Sequence, residues 1–110
     1  MSTRATVHFQ QGGKTEAIIY RHYDGDELAD DLETFFKEVK KQAPNDAKFD
    51  DPTYLAAKFI VWQAAQYAED GHPLKFTGVG IYMEDPGDEE YHYLVQCDND
   101  KTPKIKREEV

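Results

Sequence analysis

Apolar and polar residues alternate over residues 3–9, with Ala5, Val7 and Phe9 on one side and Thr6 and His8 on the other, which is the period of a half-buried strand. Gln10-Gln11-Gly12-Gly13 follows as a turn whose glycines tolerate positive φ, and residues 15–22 return through the β-branched and aromatic Ile18-Ile19-Tyr20. The chain therefore opens with a β-hairpin. The period then changes. Leu28, Leu32, Phe35, Phe36 and Val39 recur at helical spacing and build one apolar stripe. Asp24-Gly25-Asp26-Glu27 predicts its start, with Asp24 and Glu27 as a capping-box-like pair, and Lys37, Lys40 and Lys41 complement the helix dipole at the far end.

A polar connection leads to Asp51-Pro52, an N-cap followed by proline at the first helical position. The second helix should reach about residue 68. It carries one apolar line through Leu55, Phe59 and Trp62 and another through Tyr54, Ala57, Val61, Ala65 and Ala68, and two such lines predict a largely buried helix. Residues 74–83 resume alternation, Asp85-Pro86-Gly87-Asp88 reads as a turn, and residues 91–97 form a returning strand, so a second hairpin is expected. Gly78 and Gly80 predict a bulge or a close approach to the backbone, by Trp62 or by a ligand. Residues 99–110 are mostly charged and should make a short edge strand at most before fraying.

The expected architecture is a single α+β domain over residues 1–98 with a charged tail over 99–110. An antiparallel sheet of four strands, five if the tail joins, is covered on one face by two helices in the order ββααββ. A length of 110 residues suits one core and leaves no room for a second domain. No apolar run approaches the length of a membrane-spanning helix, and the N-terminus enters its strand pattern without the apolar core of a secretory signal. With one cysteine, Cys97, a cytoplasmic setting is expected.

Charge narrows the partners. With 22 acidic and 13 basic residues the formal charge is −9, which argues against direct binding of nucleic acid or anionic membrane and favours a basic protein. The acids concentrate in two patches: Asp26, Asp30, Asp31 and Glu33 on the first helix, and Glu84, Asp85, Asp88, Glu89 and Glu90 around the second turn. Such patches can imitate nucleic-acid phosphates and occupy a basic cleft, which suggests a non-enzymatic binding or inhibitory protein. A second expectation is a small-ligand or self-associating module, a homodimer included, that uses an aromatic patch of Tyr20, His22, Tyr82 and His92 on the uncovered sheet face.

Catalytic, metal and cofactor chemistry has little to rest on in the linear sequence. Alternation places His8 and His92 on the same open face, yet no short ligand spacing or paired cysteine accompanies them, so no metal, cofactor or catalytic residue is expected. An enzyme is the least supported class, and two or more histidines and a carboxylate converging in a pocket would revive it. Asp98-Asn99-Asp100 resembles the start of a calcium loop, but Pro103 stands where such a loop needs glycine. Cys97 reads as a small buried apolar residue.

Thr3-Arg4, followed by Tyr20-Arg21-His22-Tyr23-Asp24-Gly25, resembles a loose group of small uncharacterised proteins met in phages, prophages and microbial genomes. In that group a Thr-Arg segment leads to a Tyr-Arg-His-x-Asp-Gly strand exit, often continued by an aromatic residue and a proline. Here Asp26-Glu27 follows instead. The resemblance implies no activity; it implies the setting of a mobile-element accessory protein.

Overall fold

The computed structural model describes residues 3–76 and 78–110; Thr77, inside the strand expected over 74–83, lies outside the described residues, as do Met1 and Ser2. The opening hairpin forms as its alternation requires. β1 (Ala5–Gln11) pairs antiparallel with β2 (Lys14–Arg21), and Ala5, Val7, Phe9 and Ile19 are buried on one face. A bulge follows Phe9: Phe9 pairs with Ala17 but Gln10 with Thr15, which leaves Glu16 unmatched. The extra residue turns Thr15 onto the face of His8 and Ile18.

β2 does not lead straight into an α-helix. Asp24 adopts a left-handed conformation (φ 56°) without a side-chain cap, and a 3₁₀ turn, Gly25–Glu27, precedes α1 (Leu28–Gln42). The expected Asp24/Glu27 capping box is therefore absent, because the 3₁₀ turn separates Asp24 from the first residue of α1. Gly25 is buried, and its N–H donates to the Thr3 carbonyl oxygen at 2.9 Å, tying the turn to the segment that enters β1. α1 then buries its predicted stripe of Leu28, Leu32, Phe35 and Phe36. α2 (Pro52–Glu69) begins where the sequence indicates, with the Asp51 carboxylate accepting from the Tyr54 N–H at 3.4 Å. Its Leu55, Ala56 and Phe59 enter the core, and Phe59 lies 5.1 Å from Phe35 and 6.2 Å from Phe9 between ring centroids.

The other line of α2 departs from expectation. Tyr54, Ala57, Val61, Ala65 and Ala68 are exposed, Val61 at 68%, since one sheet and one neighbouring helix can cover only one side of α2.

The sheet is mixed, not purely antiparallel. β3 (Val79–Tyr82), β4 (Tyr91–Gln96) and β5 (Lys104–Glu109) complete five strands in the order β3-β2-β1-β4-β5, and β4 runs parallel to β1. The second hairpin does not exist, because β3 and β4 are separated by β2 and β1. β5 pairs with β4 over its whole length, so the tail expected to fray becomes an edge strand and the chain order is ββααβββ. Gly78 (φ 76°) does receive a close neighbour, but it is the Tyr23 ring, 2.8 Å from where a Cβ would sit, and not Trp62.

This topology governs the open face. β3 and β4 run in the same direction three strand spacings apart, about 14 Å, so the eight residues between them must travel back along the sheet while crossing it. The helices occupy the opposite face. Residues 83–90 therefore cross the open face, over β2 and β1.

Candidate metal centre beneath the crossover

The crossover is held by its own acids. Asp85 Oδ1 lies 2.8 Å from His8 Nε2, Asp88 Oδ2 lies 3.7 Å from Arg4 Nε, and Glu89 Oε1 lies 2.8 Å from His92 Nε2. The Glu90 N–H donates to the Arg4 carbonyl at 2.8 Å and anchors the end of the segment against β1. Period two puts both histidines on this face, opposite the buried Val7, Phe9 and Tyr93, and the parallel register of β1 and β4 brings them together with ring centroids 5.0 Å apart.

One cluster results. One ring nitrogen each of His8 and His92 and an Asp85 carboxylate oxygen lie within 4.8 Å of one another, with Asp85 Oδ1 2.8 Å from His8 Nε2 and 3.6 Å from His92 Nε2. Glu89 stands beside them, 5% exposed, and also accepts from the Gly87 N–H at 3.0 Å. Burial pushes the Glu89 carboxyl up, but the hydrogen bond from His92, the backbone N–H groups of Glu89 and Gly87 and the charge of His92 outweigh it and hold it below its ordinary value. The bulge-turned Thr15 places its hydroxyl 3.2 Å from His8 Nδ1 and fixes that ring from behind, while Gln10 Nε2 donates to the same hydroxyl at 3.0 Å. Thr6 shares the face, paired across from His92 and Tyr20, and its fully buried hydroxyl finds no hydrogen-bond partner among the described residues.

The donor set has a definite chemistry. Ligands of a tetrahedral zinc site stand about 2.0–2.2 Å from the ion, hence roughly 3.3 Å from each other. From Asp85 Oδ1 the separations of 2.8 Å to His8 and 3.6 Å to His92 bracket that value. Two imidazoles with one carboxylate favour zinc-like transition ions over calcium or magnesium, and three protein ligands leave the fourth position of a tetrahedral ion open. The ligands come from β1, β4 and the crossover, so an ion there would fasten that segment to the sheet.

The residues singled out from sequence now separate. Tyr20, His22 and Tyr82 do gather on the open face, with Tyr20 5.2 Å from the Tyr82 ring and its hydroxyl 2.9 Å from His22 Nδ1, but His92 sits with His8 instead. Of the acids, Asp85, Asp88 and Glu89 turn inward onto basic or imidazole groups, and Asp31 pairs with Arg21. Asp26, Asp30, Glu33, Glu84 and Glu90 remain exposed. Thr15 carried no signal in the sequence, because a bulge cannot be read from alternation alone. Asp85 lies 77 residues from His8, and no spacing pattern links them. Cys97 is buried as expected, and burial with nearby Asp98, Asp51 and Asp50 pushes its thiol up to about 12. No helix among the described residues is long and apolar enough to cross a membrane. Comparison with protein-family models, with curated proteins and with solved structures returns no match.

Proposed function

We propose that this protein is a divalent-metal-binding module of the zinc class, with His8 Nε2, His92 Nε2 and the Asp85 carboxylate as ligands and Glu89 standing beside them. One observation carries the reading: two imidazole nitrogens and a carboxylate from three separate segments converge within 4.8 Å. Both imidazoles already point the Nε2 atom inward, and the Thr15 hydroxyl engages the other ring nitrogen of His8, as the outer shell of a metal-bound histidine does. Without an ion the same atoms hydrogen-bond in pairs. On binding, the ion replaces the protons between them, and the crossover stays in place.

Calorimetric titration of chelator-treated protein with Zn²⁺ tests this. One site per chain is expected, at least tenfold weaker after His92→Ala or Asp85→Asn; undiminished binding in both variants overturns the reading. At 100 times its dissociation constant the ion should add about 2.7 kcal/mol of stability.

A second reading keeps the acidic surface as a docking site for a basic protein. The observation in its favour is that Asp26, Asp30 and Glu33 are exposed and make no ion pair among the described residues. Such binding should weaken steeply with salt and be lost when Asp30 and Glu33 become amides.

A further inference from the structure

The outer side of α2 has no counterpart in the fold. Only Lys58 and Glu69 are charged among its eighteen residues, whereas α1 carries seven charges in fifteen. A helix apolar on nearly all sides is normally covered on nearly all sides. Here the sheet and α1 cover one line and leave Tyr54, Ala57, Val61, Ala65 and Ala68 exposed, beside an open apolar groove of about 720 Å³ floored by Phe35, Val39 and Trp62.

We propose that this groove is the docking site for a second copy of the chain, with the two α2 helices packed antiparallel about a two-fold axis at Val61. Position and size support that occupant. The exposed residues stand seven and four positions before Val61 and four and seven positions after it. An antiparallel overlay therefore sets Tyr54 of one copy against Ala68 of the other and Ala57 against Ala65, so the bulky residue meets a small one and the alanines allow close approach of the helix axes. Charge agrees. Two chains of formal charge −9 repel one another, and they repel least where they meet through a surface this poor in charge. The interface is isologous, so it closes at two copies. It is also distinct from the aromatic group of Tyr20, His22 and Tyr82, which lies on the opposite face of the sheet.

Sedimentation velocity of the full chain over a range of concentrations tests the proposal. Twice the chain mass is expected, persisting in high salt, and Val61→Arg should weaken association on the order of 100-fold by setting two like charges on the axis. If Val61→Arg fails to fold, cross-linking at the same position decides the matter. Because Cys97 is buried, Val61→Cys should yield a disulfide-linked dimer under mild oxidation. A wild-type chain that stays monomeric throughout, a folded Val61→Arg that still dimerises, or a Val61→Cys that does not cross-link overturns it.

Discussion

Changing Glu89 to Gln replaces one carboxylate oxygen by an amide and leaves the side chain's shape almost intact. Its consequence follows from where that group sits. Glu89 is nearly inaccessible and accepts from both His92 Nε2 at 2.8 Å and the Gly87 N–H at 3.0 Å. A glutamine offers one accepting oxygen, so its NH₂ must face one of these two donors. The loss of one hydrogen bond to a charged group costs about 1.5–3 kcal/mol. In a domain of this size that corresponds to a melting temperature lower by about 8 °C. The pH dependence carries a further signature. Glu89 is held below its ordinary value of 4.5 in the folded chain, so its stabilising contribution is complete above about pH 4.5 and declines as pH falls through the depressed folded value. The variant lacks that term, and the gap between the two proteins should therefore narrow on acidification. Urea denaturation in the presence of a chelator, at neutral pH and in steps down to about pH 3, measures both effects. A gap under about 0.5 kcal/mol at neutral pH, or one that stays constant down to about pH 3, would refute the assignment of Glu89 as a satisfied, ionised internal anchor.

Other substitutions test the scaffold around the site. Gly25→Ala should destabilise by about 2 kcal/mol or more in urea, because its Cβ would meet the Thr3 carbonyl at 2.6 Å and the Ala5 Cβ at 2.8 Å; Gly12→Ala, with open space at φ 59°, should cost only about 1 kcal/mol. The Cys97 thiol, buried and pushed up to about 12, should resist alkylation at neutral pH in native buffer and react readily in denaturant, so fast native labelling would contradict its placement.

The parts of this fold that can be read from sequence are those set by local period and local chemistry. The alternation of Ala5, Val7 and Phe9, the stripe from Leu28 through Phe36, and the Asp51-Pro52 cap each act within a few residues, and each appears in the structure close to its expected place. The parallel pairing of β1 with β4 joins Ala5 to Tyr91, and nothing in either segment names the other. Pro86-Gly87 has the composition of a tight turn, yet it bends a crossover, since the same dihedral preferences serve both. That one misreading hid the candidate site. Alternation does place His8 and His92 on a common face, but Asp85 and Glu89 join them only because the chain crosses above β1. Their charge suggested an external partner, whereas their contacts are internal. The apolar outer line of α2 predicted burial that a single copy of the chain does not provide.

The central claim is that His8 and His92 share one ion with Asp85, and nitrogen NMR of the four histidines during zinc titration tests it most directly. Both Nε2 resonances, His8 and His92, should move to the metal-bound position together and saturate at one equivalent, while His22 and His72 stay where they were. A spectrum in which His8 and His92 do not respond, or in which all four histidines drift without saturating, would contradict it.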